Sequence, residues 1–470
     1  MADRVHAFTD DVLAEHDAVA LAALVRSGEV SPEEVARAAI ARAERVEPVL
    51  HAVELDCYER PRFTGERSGV WFGVPTFLKD NADVAGMPTR HGSVAFRPRP
   101  AARDDAYTRQ FLSTGVTLLG KTRLPEFGLN PTTEFQNAEP TVNPWNPEYS
   151  VGGSSGGGAA LVAAGVVPVA HGNDGGGSLR IPAACAGLVA LKPSRFRHLD
   201  NVQARQLPIK LISEGVLTRT VRDTAAYTAA AERYWRNPKL TPIGFVEGPT
   251  DRQLRIGVLL GSGTGDEPDA ETRAAVEQAA RLLEKAGHHV EALGVPFARR
   301  LADDFLLYWA LLAHMAALTG KILHGRTFDR SALDDLTKGL GRYHRERFVG
   351  SAGALYRLRR ARQSYDRVFT DYDLVLSPVT THTVPPIGYL SPTVPADQLI
   401  DRLFRYAGYT PINNITGSPA ISLPTGLGPN GLPIGVMCSA AYGDERTLLE
   451  IGYLLEAEHP FPRITADLRD

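Results

Sequence analysis

The chain has 470 residues, 43% of them apolar, and a formal net charge of −3. That length can bury a large α/β core, and the balanced charge, without a basic tract or a block of like charge, argues against nucleic-acid binding or a charged tail. Three scattered cysteines, Cys57, Cys185 and Cys438, make neither a disulfide framework nor a zinc site; a cytoplasmic protein is expected, with no signal peptide at Met1-Ala2-Asp3 and no apolar run of membrane-spanning length.

Residues 17–47 predict two helices broken at Ser27-Gly28. Ser31 is the N-cap of the second, Pro32 its first turn, and Glu34 closes a capping box. Residues 73–78 predict a strand ending in Lys79-Asp80-Asn81, and residues 116–119 one ending in Gly120-Lys121-Thr122. A lysine closing a buried strand is either half of an ion pair or a base, and composition does not choose between Lys79 and Lys121. Residues 130–149, rich in Asn, Pro and Thr, predict an ordered loop.

After the glycine-rich stretch 150–193, a strand at 213–217 and a helix at 221–234 are predicted, then a Pro/Gly-rich connector over 236–252. A strand at 254–260 runs into Gly261-Ser262-Gly263-Thr264-Gly265 and a helix near 268–286. Asp266 stands where the third glycine of a dinucleotide loop belongs, and no acidic residue ends the next strand, so nucleotide binding is not expected. Residues 300–372 predict helices with a dense cluster of Phe305, Leu306, Tyr308, Trp309, Leu312 and Met315, which suits either a core or a pocket wall. Strands at 374–377, 419–424 and 432–439 and a helix at 448–458 complete the chain.

The stretch 150–193 organises the rest. Two glycine-rich turns each present a serine, Ser154 and Ser178, 24 residues apart, with an apolar helix-strand unit between them. Glycine costs backbone entropy, and a run of it suggests close approach of backbone N–H groups to a ligand or a reacting oxygen. An unassisted serine is a poor nucleophile; it needs a base and an oxyanion site. Gly175, Gly176 and Gly177 precede Ser178 and lack side chains, so consecutive N–H groups can converge on one oxygen. Asp174 can brace that turn through Arg180. Gly152-Gly153-Ser154-Ser155-Gly156 also satisfies the nucleophile-elbow pattern, but residues 143–147 are not expected to form the strand an elbow requires, and nothing ties His171, His314 or His382 to a serine.

These residues resemble the amidase signature family of serine hydrolases. The likeness covers nearly the whole chain: Gly73-Val74-Pro75 through Lys79-Asp80, Gly120-Lys121-Thr122, Gly152 to Gly157, Gly175 to Pro182, Leu191-Lys192-Pro193, Gly417 to Ala420 and Gly431 to Gly435. The resemblance implies a Ser-Ser-Lys triad, with Lys79 as base, Ser154 as a bridging serine after a cis peptide, and Ser178 as nucleophile. It also implies an oxyanion loop at Gly175, Gly176 and Gly177. Lysine in water has a pKa of about 10.4, and burial lowers it enough for a neutral amine to serve as base.

The implied fold is α/β: one α/β/α sandwich around a large mixed β-sheet, with N-terminal helices and a helical pocket-covering region. The expected organisation is a single domain over 1–470, with a helical part near 10–65, a signature core near 66–235 and the remaining sheet near 254–470, carrying a helical insertion near 300–372. The expected activity is hydrolysis of small-molecule amides, hydrophobic or aryl ones above all, through an acyl-enzyme, with anilides, carbamates and esters open to the same chemistry. No cofactor, metal, nucleic acid or membrane is expected; a homodimer is compatible. Gly175, where the family often has threonine, suggests extra room for bulky acyl groups and a likeness to the cyclic-amide hydrolase branch. Candidate pocket residues are Phe127, Trp145, Tyr149, Tyr308 and Trp309. Two alternatives are a glutamine-dependent transamidation subunit, which needs an arginine for the glutamine carboxylate, and a catalytically dead binding protein on the same fold.

Overall fold

The computed structural model describes residues 4–466; the ends of the expected domain, residues 1–3 and 467–470, lie outside the described residues. The N-terminal helices are Ala18–Ser27 and Pro32–Leu50. Gly28 ends the first in the left-handed region, and Ser31 and Glu34 form the expected capping box on the second. Their apolar faces join a core that also holds Trp71, Phe77 and the helix Gly156–Ala163. That last helix is apolar on every side, and all eight of its residues are buried. A β-carbon at Gly156 would sit 2.1 Å from the Thr133 hydroxyl, and one at Gly157 2.5 Å from the Ala52 carbonyl. Close packing, rather than ligand approach, explains these two glycines.

Six strands form one mixed sheet in the order His289–Ala292, Arg255–Val258, Leu374–Pro378, Pro433–Ala440, Ala420–Leu427, Ala190–Lys192. The first three are parallel and the remaining pairings antiparallel. A bridge between Val189 and Thr218 extends the sheet to Ser213–Thr218, which pairs antiparallel with Val169–Asp174. That strand lies beside Pro75–Lys79, which runs parallel to Thr117–Thr122. The expected mixed sheet is therefore present, but its ladder opens at one seam. There Thr76 Oγ1 donates to the Val169 carbonyl at 2.9 Å, and the Lys79 N–H donates to His171 Nδ1 at 3.1 Å. Side chains take the places of a backbone ladder between the strand that carries Lys79 and the strand that leads to Ser178.

Two expectations are corrected. Residues 130–149 contain more than loop: Val142–Asn143 and Asn146–Ser150 pair as a small hairpin. The helix Arg300–His324 is, by length and composition, apolar enough to cross a membrane, a run not expected from the sequence. In this fold it packs against the helices Asp335–Arg347 and Ser351–Tyr365 and walls a cavity described below. The region 300–372 is helical as expected.

Candidate active site

Lys79 closes a strand in which all five residues are buried, and its side chain is fully enclosed. Its Nζ is 2.7 Å from Ser154 Oγ, 3.0 Å from Ser155 Oγ and 2.8 Å from Asn173 Oδ1. No carboxylate of the described residues lies within ion-pair distance. Burial therefore pulls the amine down to a pKa of about 7, against the smaller upward pull of Glu214 and Asp174. A neutral amine has two N–H groups and a lone pair, so three polar neighbours leave one hydroxyl to donate to nitrogen.

Ser154 follows a cis Gly153–Ser154 peptide and is 2% exposed. Gly152 has φ of +79°, and a β-carbon there would lie 2.8 Å from the Pro182 backbone. The strand Asn146–Ser150 precedes this turn and the helix Gly156–Ala163 follows it, so the strand missing from the sequence-based argument against an elbow is present. The histidines nevertheless serve elsewhere: His171 binds the Lys79 amide and Glu214, His314 stacks on His344, and His382 Nδ1 binds the Thr383 carbonyl.

Ser178 lies in the turn between Val169–Asp174 and the helix Arg180–Ala186, and its carbonyl accepts from the Ser155 N–H at 3.2 Å. Asp174 braces that turn, accepting from the N–H groups of Gly177 at 2.7 Å and Leu179 at 3.2 Å and from Arg180 Nε at 2.8 Å and Nη2 at 2.9 Å. Burial alone would raise its pKa; the charge and bonds of Arg180, then Lys192, hold the carboxyl ionised, well below its ordinary range. Arg180 is anchored in turn by Asn413 and Asn414. The Gly177 N–H is thus spent on Asp174, which corrects the expectation that it joins an oxyanion site. The N–H groups of Gly175, Gly176 and Ser178 have no acceptor among the described residues. Gly177 is still required as glycine, with φ of +129° and a β-carbon position 2.4 Å from Thr410 Oγ1.

Ser178 and Gly176 open onto a cavity of about 880 Å³, its open mouth included. Phe305, Leu306 and Trp309 form one wall, Ile400, Leu403 and Phe404 another, and no Lys, Arg, Asp or Glu lines it. Of the five aromatic candidates, Trp309 alone lines this cavity. Phe127 instead lines a neighbouring groove of about 2660 Å³, which shares Leu129 and Trp309 with the first cavity. Trp145 is core, donating to the Ala186 carbonyl at 2.9 Å. Tyr149 packs in the same core and bridges to Pro386. Tyr308 points away from the cavity and bonds both the N–H and the carbonyl of Ile209, at 3.0 and 2.9 Å. The room expected beside Gly175 is also taken: a β-carbon there would lie 3.2 Å from Ile212 and 3.7 Å from Trp309.

Sequence reasoning missed Asn173 and Ser155 at the lysine, and Gly263-Thr264 and the helix Ala396–Tyr406 at the cavity. The spacing of Ile400, Leu403 and Phe404 on that helix was the available signal.

The amidase family model matches residues 34–449. AmiC of Mycobacterium leprae, which carries the name of an amidase, is 48% identical over 98% of this chain and 99% of its own. The solved 6-aminohexanoate cyclic dimer hydrolase in complex with substrate superposes with a TM-score of 0.83 at 31% identity, covering 97% of this chain and 99% of the other. A bacterial aryl acylamidase of the amidase signature family gives 0.79 at 27% identity, over 95% and 96%. The turn braced by Asp174, the buried lysine and a match spanning nearly the whole length agree: this chain belongs to the amidase family.

Proposed function

We propose that the protein hydrolyses amide C–N bonds through an acyl-enzyme on Ser178, with Lys79 as base and Ser154 as the proton carrier between them. Neutral Lys79 takes a proton from Ser154, which takes one from Ser178; the Ser178 oxygen attacks the carbonyl carbon. The N–H groups of Gly175, Gly176 and Ser178 receive the oxyanion. Ser154 passes its proton to the departing amine and takes one back from the Lys79 ammonium; with Lys79 neutral again, water repeats the sequence to free the acid and Ser178. The observation that carries this reading is the 2.7 Å contact between Ser154 and a lysine that is fully buried without a carboxylate partner.

The uncharged, aromatic cavity beside Ser178 favours hydrophobic or aryl acyl groups, linear or cyclic. The named substrates of the two solved relatives, a cyclic amide dimer and aryl amides, are consistent with that preference. A transamidation subunit would need a cation for the glutamine carboxylate, and the cavity lining supplies none. The three free cysteines suit a cytoplasmic setting. A fluorophosphonate should label Ser178, located by mass spectrometry, and a hydrophobic anilide should turn over faster than glutamine releases ammonia. Label on Ser154, or strong glutaminase activity with no anilide cleavage, would overturn the assignment.

A further inference from the structure

Behind Lys79 lies a second polar cluster that the proton path does not use. Glu214 is the cross-strand partner of Asn173, and His171 is two residues away on the same strand, so all three side chains share one face. His171 and Glu214 are enclosed, at 0% and 1% exposure. The Lys79 N–H occupies His171 Nδ1, which leaves Nε2 as the protonated nitrogen; it donates to Glu214 Oε2 at 2.9 Å. Asn173 accepts from Lys79 Nζ through Oδ1 and turns Nδ2 toward Glu214, where it favours the ionised carboxyl from beyond bonding distance. The cluster therefore meets Lys79 twice, at its backbone through His171 and at its head through Asn173.

The other charged and titratable groups around this ring are accounted for. Asp174 is committed to Arg180, and Lys121 to Asp80 at 2.6 Å. Tyr107, whose ring lies 4.9 Å from His171, is bonded to Tyr227. His198 Nδ1 meets the Glu214 carbonyl, not its carboxyl. Asp105 and Asp200 act on Glu214 from further away. Burial, then those two acids, raise Glu214 well above the ordinary carboxylate range, while Lys79 and Asn173 oppose the rise. Burial, then Lys79 and Lys121, keep His171 neutral.

We propose that Glu214 is a positioning residue for the hydrolysis: it holds the backbone of Lys79 through His171, and it faces the lysine with a carboxyl free of any arginine when Lys79 takes the serine proton. The inference rests on Lys79 being the base. A proton accepted by a buried amine creates an ammonium without water, and Lys79 and Glu214 each favour the charged form of the other within the same enclosed cluster. A merely structural cluster would affect folding and leave the protonation of Lys79 unchanged.

The test is the pH profile of kcat/KM for Glu214→Gln, which keeps shape and removes the ionisable carboxyl. Lys79 loses the acid that supports its ammonium, so the acid limb should move to lower pH by about one unit. The plateau kcat should fall about tenfold or more while KM stays within about twofold. Glu214→Asp, which keeps a carboxyl, should return the limb toward its wild-type position. An acid limb in Glu214→Gln that coincides with wild type, whatever the overall rate, overturns the proposal. Should that variant lose its cooperative thermal melt, His171→Asn decides: without its donor Glu214 holds a proton more tightly, so the limb should again move down, and an unmoved limb overturns the proposal equally. Lys79→Ala separates the two levels. Retained activity there would remove the base assignment itself, whereas an inactive Lys79→Ala with an unmoved Glu214→Gln limb removes only the role of Glu214.

Discussion

Lys79 and Lys121 lie at the ends of neighbouring parallel strands, the first as last residue and the second as last but one, both enclosed to 0% exposure, yet their surroundings are opposite. Lys121 meets Asp80 at 2.6 Å, the Pro88 carbonyl at 2.8 Å and Thr89 Oγ1 at 2.9 Å. Lys79 meets two serines and an amide, with no carboxylate in reach. The register explains the divergence. Leu78, not Lys79, is the cross-strand partner of Lys121, so the two lysines project from opposite faces of the sheet. One face supplies a counter-charge and makes an ion pair. The other withholds one, and desolvation leaves an amine that can accept a proton.

The largest effects expected from this contrast are on turnover. Ser178→Ala and Lys79→Ala should each lower kcat on the order of 10⁴-fold or more, with the double variant little worse, because residues acting as one unit do not lose activity additively. Single-turnover kinetics on folded protein checks this, and additive losses would break the triad. Lys121→Met should behave in the opposite way. It strands a buried Asp80 and should cost about 3–5 kcal/mol in urea unfolding, while the folded fraction keeps kcat within a few-fold. Adding Asp80→Asn should recover part of that loss; a Lys121 variant that is stable but inactive would erase the contrast.

The third effect is on pH. With a folded pKa of about 7, Lys79 is protonated on the acid side, so kcat/KM should fall about tenfold per unit below that point. Stability follows the same group. Its pKa is depressed on folding from the ordinary 10.5, so between 10.5 and about 7 the unfolded chain binds a proton that the folded chain does not. The contribution of Lys79 to stability therefore rises with pH across that window and is flat below it, which denaturation at several pH values will show by comparison with Lys79→Met. The smallest effects come from single neighbours. Ser155→Ala should cost about tenfold in kcat with little change in stability, and Thr89→Val about 1 kcal/mol with no change in kcat.

Sequence singled out the two serine-bearing glycine turns and nearly every helix and strand near them, because glycine placement, capping residues and buried apolar runs are local signals. It did not separate Lys79 from Lys121, since that difference lies in strand register; the family resemblance made the choice. The strand Asn146–Ser150 was missed because Asn146 and Pro147 read as loop, yet a short hairpin edge accepts both. Tyr308 and Trp309 looked equivalent as neighbours in one aromatic run. On a helix they are about 100° apart, and Trp309 instead stacks with Phe305, four residues earlier, at 5.6 Å. The remaining cavity walls come from segments far apart in the chain, and no local pattern joins them.

The brace on the Ser178 turn bears on how the enzyme becomes active during its own synthesis. Arg180 and Asn414, which hold that turn, are separated by 234 residues. A nascent chain already carrying Lys79, Ser154 and Ser178 still lacks the two asparagines that anchor the Asp174–Arg180 pair. Without residues 411–416 the Arg180 guanidinium keeps Asp174 but loses the two asparagine acceptors. A fragment that ends before them carries all three candidate catalytic residues and an incomplete brace on the turn that presents Ser178.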